Sequence, residues 1–196
     1  MNKNALIIFA RNPELGKVKN RLAKTIGKEK ALEIYNKLLS NVYAETKDLK
    51  CNKYLFLTER TDNGLFDDTY IQKIQSGSDL GSKMNNAIKS VLKEGNENIL
   101  LIGTDVPGLS SEIINEAFKK LLEFDIVIGP ARDGGYYLIG MKESLSQIFE
   151  NMKWSNEQVL SNTIERIGLL NKSYYLLEEL ADVDMEEDLE NMDNEL

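Results

Sequence analysis

The chain has 196 residues, of which 42% are hydrophobic and 29% charged, and its formal net charge is −8. These proportions are typical of a globular protein with one packed core, so a single domain over residues 1–196 is expected and a disordered chain is excluded. The acidic balance, without a long basic run, argues against a nucleic-acid partner.

The cysteine and histidine content narrows the chemistry. There is one cysteine, Cys51, and no histidine, which excludes a disulfide framework, His-based catalysis and His-ligated zinc. The apolar stretch at residues 5–10 is too short to cross a bilayer, so a cytoplasmic protein without a membrane partner is expected. No sequence feature indicates an oligomeric state.

In the N-terminal half, short β-type runs alternate with longer segments of helical periodicity. This pattern is typical of a parallel sheet covered on both faces by helices. It predicts strands at residues 5–10, 53–58 and 70–75, and helices at residues 28–48 and 80–93.

The C-terminal half continues the alternation. The nearly continuous apolar run at residues 98–103 predicts a strand buried on both faces in the centre of the sheet. Ser110 has the position of an N-cap for a helix reaching residue 123. Two further pairs, Ser155 with Gln158 and Asp184 with Glu187, have capping-box spacing and predict helices, the first through residue 167 and the second at the C-terminus. Further strands are predicted at residues 125–129, 136–141 and 173–177.

Positive charge is concentrated in the loop after the first strand. Ligands of open α/β sheets bind beyond the carboxyl ends of the strands, so this loop is a candidate phosphate site. Arginine and lysine neutralise phosphate oxygens, and a glycine lets backbone amides approach them. The alternative is a solvated basic turn. The candidate residues are Arg11, Gly16, Lys17, Lys19 and Arg21.

Asp105 directly follows the central strand and is the best metal-ligand candidate. One aspartate with phosphate oxygens and water is a sufficient site for Mg²⁺ or Mn²⁺, because such an ion keeps much of its hydration. The alternative role of Asp105 is a turn cap. Asp182 and Asp184 supply further carboxylates near the end of the chain. The spacing favours Asp184 as an N-cap, which leaves Asp182 as the better second ligand.

A glycine-rich turn carries the candidates for the acceptor or sugar side. Asp133, as a catalytic carboxylate, and the backbone of Gly134 and Gly135 would face the substrate beside Tyr136. Asp-Gly-Gly is equally a hairpin signal, so a purely structural turn is the alternative. Trp154 is a candidate for stacking on a substrate ring, although core packing is its expected role.

Six segments occur in the order found in a known family. The chain resembles bacterial GT-A-like transferases related to molybdenum-cofactor guanylyltransferases, and glycosyltransferases associated with radical-SAM and arsenosugar gene clusters. Each segment is weak alone, but the series is specific and covers nearly the whole length. The segments are NPELGKVKNRLAKTIG, GSDLGSKMNNAI, GTDVPGL, GPARDGGYYLIG, MKWSNEQVL and ADVDMEEDL.

The resemblance implies a nucleotide-diphospho-sugar transferase fold of the GT-A type. This fold is α/β and doubly wound, with a mostly parallel sheet sandwiched by helices and a nucleotide over its carboxyl edge. By family analogy the metal lies at Asp105, with a further contact from Asp182 or Asp184. Lys83 stands where the family usually has arginine and keeps the positive charge of a phosphate-binding position, and Asn20 replaces a usual threonine.

Two reactions are compatible with this fold, each with a nucleotide-activated donor and a small-molecule acceptor. Glycosyl transfer from an NDP-sugar is favoured because the loop after the first strand lacks the G-x-G-x-R signature of sugar nucleotidyltransferases, and Asp133 would then act as base. Nucleotidyl transfer from an NTP to a phosphorylated acceptor is the alternative, because the K-x-R-L ending of the loop resembles phospholactate guanylyltransferases. A non-catalytic nucleotide-binding subunit is a third hypothesis.

Overall fold

Seven strands and six helices organise the computed structural model, which describes residues 3–60, 64, 66–189 and 192. The strands are β1 (Asn4–Phe9), β2 (Asn52–Leu57), β3 (Tyr70–Ile74), β4 (Asn98–Ile102), β5 (Ile126–Pro130), β6 (Tyr136–Met141) and β7 (Tyr174–Leu176). The helices are α1 (Ala23–Ile26), α2 (Lys28–Thr46), α3 (Leu80–Leu92), α4 (Ser111–Lys120), α5 (Ser146–Phe149) and α6 (Val159–Leu169).

The strands form one sheet in the order β3-β2-β1-β4-β6-β5-β7. Every pair is parallel except those of β6, which runs antiparallel to both β4 and β5. The predicted α/β fold with a mostly parallel sheet is therefore confirmed, and β4 is the central strand, as its apolar run predicts. The strand order reverses between β1 and β4, which is the position where ligands bind in such sheets.

Both faces of the sheet are covered by helices. Along β1, Leu6 and Ile8 belong to a core cluster that contains residues of α2 and α4. Ala5 and Ile7 belong to a second cluster with residues of α3, α5 and α6. Because successive side chains of a strand point to opposite faces, this alternation places one helical layer on each side. Cys51 packs against the first cluster.

Two of the predicted caps are wrong. Helix α6 begins at Val159 without a side-chain cap, and Ser155 has a φ of 61°, which is left-handed rather than extended. The chain also forms a 3₁₀ helix at Glu186–Asp188, and Asp184 does not cap it. Instead, the carboxylate of Asp188 accepts hydrogen bonds from the backbone amides of Asp184 and Met185. The remainder of the predicted terminal helix lies largely outside the described residues. Within the part of the chain that the structure describes, no helix combines the length and the apolar character needed to cross a membrane.

The β5–β6 hairpin depends on the absence of a side chain at Gly134. This glycine has a φ of 85°, and a Cβ there would lie 2.3 Å from the backbone oxygen of Glu157. Gly95 has a φ of 90° but no atom within 4 Å of its Cβ position, so it offers a control with the same backbone strain and no clash.

Gly134→Ala is expected to lower the free energy of unfolding by more than Gly95→Ala. The left-handed conformation alone costs about 1–2 kcal/mol in either variant. Overpacking against the backbone of Glu157 should lower the free energy of unfolding by about 1–3 kcal/mol more, the cost of an overpacked core, in the Gly134 variant only. Urea unfolding of both variants measures the difference, and equal losses would contradict the proposed clash.

Candidate active site

A cleft of about 2060 Å³ lies at the carboxyl edge of the sheet. The segments that follow β1, β4, β5 and β7 all contribute to its lining, together with faces of α3 and α6. Pockets for one small ligand usually enclose roughly 300–1,000 Å³. The cleft is therefore large enough for two substrates side by side.

Asp105 faces this cleft and is fixed by its neighbours. It follows the central strand β4, and its side chain is 56% exposed. Its carboxylate forms an ion pair with Lys19, whose ammonium also donates a hydrogen bond of 2.6 Å to the carbonyl of Val183. The amide of Val183 donates to the carbonyl of Asp105 at 2.9 Å. The segment that carries Asp182 and Asp184 is thereby held against Asp105.

Lys19 does not have the free, exposed ammonium group that a phosphate contact requires. Its side chain is only 4% exposed, and its charge is neutralised by Asp105. A buried ammonium is costly to separate from its partners. Lys19 therefore ties three segments together, although it also lines the cleft.

The loop after β1 is held by two side chains that sequence analysis did not single out. Asn12 is buried; its oxygen accepts hydrogen bonds from Thr58 and from the amide of Glu59, and its amide donates to the carbonyl of Glu59. The hydroxyl of Tyr35 donates to the carbonyl of Arg11 and accepts from its amide. Burial raises the pKa of Tyr35 to about 12, so the hydroxyl stays neutral. The apolar spacing of α2 indicated Tyr35 as core and gave no signal for its hydroxyl.

Three cations of this loop, Arg11, Lys17 and Arg21, remain exposed in the same cleft as Asp105. Lys17 pairs with Glu14 at 2.8 Å and Glu59 at 3.7 Å, and the hydrogen bond to Glu14 raises its pKa. Arg21 pairs with Asp184 at 2.6 Å. Exposed pairs contribute only about 0–1 kcal/mol, so a phosphate group can replace these carboxylates at little cost. Phosphate binding by Arg11, Lys17 and Arg21 stays a prediction.

Gly16 lies outside the cleft, whereas the sequence predicts that its backbone amide approaches a phosphate there. It has a φ of 75°, and the side chain of Lys28 would lie 3.3 Å from its Cβ position. It does not belong to the cleft lining. Its conformation provides the turn after β1 rather than an amide directed at a ligand.

Asp182 lies on the acidic side of the cleft, where the charged groups that act on it are other carboxylates. Burial, together with the neighbouring carboxylates of Asp133, Asp188 and Asp184, raises the pKa of Asp182 to about 6. Within the described ranges, no three acidic, cysteine or histidine residues are grouped as a metal cluster. Mg²⁺ commonly uses one or two carboxylates with substrate phosphates and water, and Asp105 and Asp182, which both line the cleft, are side chains of this type. The metal site stays a prediction.

The Asp-Gly-Gly turn has the structural role that its sequence allows. Asp133 accepts a hydrogen bond of 2.8 Å from the amide of Gly135, and the amide of Ala131 donates to the carbonyl of Gly135. Gly134 packs on the backbone of Glu157 and does not line the cleft, unlike Asp133 and Gly135. The turn thus closes the hairpin and presents Asp133 to the cleft.

Tyr136 and Trp154 combine core packing with a position in the cleft wall. Their rings meet edge to face at 6.4 Å, and both pack against the second core cluster. The indole N–H of Trp154 is buried without a hydrogen-bond partner, a state that costs about 1–3 kcal/mol. A Cβ at Gly81 would lie 2.7 Å from the indole ring, so α3 approaches Trp154 closely.

Comparison with known proteins relates the chain to nucleotide-using enzymes. The profile of a family described as "Uncharacterized protein conserved in bacteria (DUF2064)" matches residues 43–156. A 2-phospho-L-lactate guanylyltransferase of Methanocaldococcus fervens is 24% identical over 179 residues, which cover 89% of this chain and 78% of the relative. Its counterpart in Methanocaldococcus vulcanius is 30% identical over 110 residues, 54% of this chain and 48% of the relative.

Solved structures support the fold. The crystal structure of a proposed nucleotide-diphospho-sugar transferase from Desulfovibrio desulfuricans G20 has a TM-score of 0.88 and 28% identity, and the match covers 94% of this chain and 84% of that one. A 4-diphosphocytidyl-2C-methyl-D-erythritol synthase from Anaerococcus prevotii has a TM-score of 0.63 and 13% identity, covering 98% and 95% of the two chains. The predicted nucleotide-diphospho-sugar transferase fold is therefore confirmed.

Asp182→Asn is expected to stabilise the protein at pH 7.5 but not at pH 4. The pKa of Asp182 rises from 3.8 to about 6 on folding, so the folded state binds more protons than the unfolded state between these values. Stability is consequently lost as the pH rises through this range. After a discount for solvent screening, the gain at pH 7.5 should be about 1 kcal/mol, or roughly 2–4 °C in the unfolding temperature.

Thermal unfolding at both pH values measures this effect. Asp68→Asn, at an exposed carboxylate outside the cleft, is the control. Equal shifts at pH 4 and pH 7.5 would show that Asp182 does not titrate differently in the folded state.

Proposed function

The chain belongs to the DUF2064 family of bacterial proteins, and we propose that it is a metal-dependent nucleotidyltransferase that joins the NMP part of an NTP to a phosphorylated small-molecule acceptor. One observation carries the proposal. The exposed carboxylate of Asp105, next to the central strand, lines the same cleft as the exposed cations Lys17 and Arg21. This combination suits a triphosphate bound with a divalent cation.

The reaction needs little from the protein except position and charge. An oxygen of the acceptor phosphate attacks the α-phosphorus of the NTP, and a new P–O bond forms. The bond between the α-phosphorus and its bridging oxygen to the β-phosphorus breaks, and pyrophosphate leaves with that electron pair. No proton has to be removed from an ionised phosphate, so the cleft needs no general base.

Named residues would divide this work. Asp105 and Asp182 would hold Mg²⁺ or Mn²⁺, which neutralises charge on the phosphates when bound. Lys17 and Arg21 would exchange Glu14 and Asp184 for oxygens of the departing pyrophosphate. Stabilisation of charge that develops in the transition state is usually the largest catalytic contribution. The hydrogen bonds of Asn12 and Tyr35 hold the loop in place for it.

Nucleotidyl transfer is preferred to the glycosyl transfer that the sequence favoured. The similar proteins from Methanocaldococcus are named guanylyltransferases. An inverting glycosyl transfer requires a general base, and the candidate for it is Asp133. This carboxylate is a weak candidate because it already accepts a hydrogen bond from the Gly135 amide in the hairpin turn. Glycosyl transfer remains a second candidate function, supported by the description of the Desulfovibrio desulfuricans structure as a nucleotide-diphospho-sugar transferase.

The product released distinguishes these reactions. The protein is incubated with GTP, CTP, ATP or UTP, Mg²⁺ or Mn²⁺ and a panel of organic phosphates, and in parallel with NDP-sugars and hydroxyl acceptors. Acceptor-dependent release of pyrophosphate supports the proposal, whereas release of NDP from an NDP-sugar supports glycosyl transfer. Nucleotide binding without either product would indicate a non-catalytic subunit.

Asp105→Asn is expected to lower turnover by about 10²-fold or more and to abolish the Mn²⁺ dependence of nucleotide binding. Asparagine keeps an oxygen that accepts a hydrogen bond from Lys19 but removes the charge that neutralises this buried ammonium, so the unfolding temperature should fall while the variant stays folded at the temperature of the assay. Calorimetry of GTP binding with and without Mn²⁺ measures the Mn²⁺ dependence, and thermal unfolding shows whether the variant is folded. Asp48→Asn, at an exposed carboxylate outside the cleft, is the control. Unchanged Mn²⁺ dependence would remove Asp105 from the site.

Arg21→Ala is expected to weaken binding of NTP by about tenfold and to leave binding of the nucleoside unchanged. The proposed contact is to phosphate, and a charge-assisted hydrogen bond contributes roughly this much. Equal losses for GTP and guanosine, measured by calorimetry, would show that Arg21 does not bind phosphate.

A further inference from the structure

The cations that line the cleft fall into two sets. Lys17, Lys19 and Arg21 each have a carboxylate partner. Lys83 and Lys153 line the cleft without an ion pair to any carboxylate that the structure describes, as do Arg11, Arg132 and Arg166. In a protein of net charge −8, lysines without a carboxylate partner in a concave site indicate that the partner is a ligand.

Both lysines belong to elements that meet at Trp154. Lys83 shares a face of α3 with Leu80, because residues three apart are neighbours on a helix, and both line the cleft. Gly81, on the same helix, lies against the ring of Trp154, and Lys153 directly precedes Trp154 in the chain. Both lysines therefore border the part of the cleft where α3 meets the segment of Trp154.

Apolar surface borders the same lysines. Leu80 is 44% exposed and Leu169 is 76% exposed, and both line the cleft, as does Met84. Apolar side chains that line a concave site are typical of pockets for small ligands. We call Leu80, Lys83, Tyr136, Lys153, Trp154 and Leu169 the acceptor half.

The segment that carries Trp154 is unusual in its backbone. Asn151 and Ser155, at either side of it, have φ values of 55° and 61°, in the left-handed region that residues other than glycine rarely adopt. Such conformations are concentrated at ligand sites, where the surrounding structure enforces them. The buried indole N–H of Trp154 also has no acceptor among the residues that the structure describes.

We propose that the acceptor half binds an organic phosphate with an apolar body, whose phosphate lies between Lys83 and Lys153 and whose body packs on Leu80, Trp154 and Leu169. This inference rests on the proposed nucleotidyl transfer and specifies its acceptor. It also reassigns Lys83 from the nucleotide to the acceptor. Glu157 and Glu165 line the cleft as well, so the inference depends on the unpaired state of the two lysines and not on net charge.

The fluorescence of Trp154, the single tryptophan of the chain, reports on this half directly. Phenyl phosphate is expected to change its emission saturably, with an affinity about tenfold higher than that of glycerol phosphate or phenol, because each of these lacks one of the two recognised features. Equal affinities for phenyl phosphate and glycerol phosphate, or no saturable change, would overturn the inference.

Lys83→Met should weaken phenyl phosphate about tenfold and leave the affinity for Mn²⁺-GTP within about twofold. Lys89→Met, on the same helix and outside the cleft, is the matched control and should change neither. If Lys83→Met weakens Mn²⁺-GTP but not phenyl phosphate, the lysine belongs to the nucleotide and the inference is overturned while the proposed function stands. If the unaltered protein binds phenyl phosphate but no nucleotide, the proposed function fails and ligand binding by this half stands.

Discussion

The buried ammonium of Lys19 is the interaction on which the candidate site depends. It joins the loop after β1, the end of β4 and the segment after β7, three regions far apart in the chain. Because the ammonium has little access to water, its carboxylate and carbonyl partners must stay in place to compensate for its desolvation. The positions of Asp105 and of the acidic segment are thereby linked.

The cleft around this link contains two different electrostatic environments. Exposed ion pairs occupy Lys17 and Arg21, and such pairs are easily exchanged for phosphate. Burial and crowded carboxylates raise the pKa of Asp182, and such carboxylates suit a divalent cation. Both features support the proposed site for an anionic ligand with a metal ion, which is the requirement of nucleotide chemistry.

The wall that carries Trp154 is built differently from the basic loop after β1. The hairpin turn at Gly134 rests on the backbone of Glu157, and Leu160 donates its amide to the carbonyl of Gly134. The segment before α6 is thereby attached to the sheet, which positions Trp154 against α3. In the proposed reaction, this rigid wall would select an acceptor by shape, whereas the exposed basic loop would select phosphate by charge.

The sequence by itself determined the seven strands, the four longer helices and their order along the chain, but not the short helices α1 and α5. The apolar run at residues 98–103 identified the central strand, because only a strand buried on both faces tolerates such a run. The polar residues at strand ends identified Asp105, Lys17 and Arg21, because parallel strands bring their carboxyl ends to one edge. Family resemblance added the fold. The absence of a G-x-G-x-R signature in the loop after the first strand favoured glycosyl transfer, which the similarity to guanylyltransferases does not support.

Only the tertiary structure decided which charges are free. Lys19 and Lys83 look alike in sequence, yet one is neutralised by Asp105 and the other has no carboxylate partner among the described residues. Likewise, the spacing of Asp184 suggested a helix cap, but its carboxylate pairs with Arg21. Local patterns report only the periodicity of a segment. The ion pairs of Lys19 with Asp105 and of Arg21 with Asp184 join residues more than 80 positions apart in the chain, which meet only after the sheet has formed.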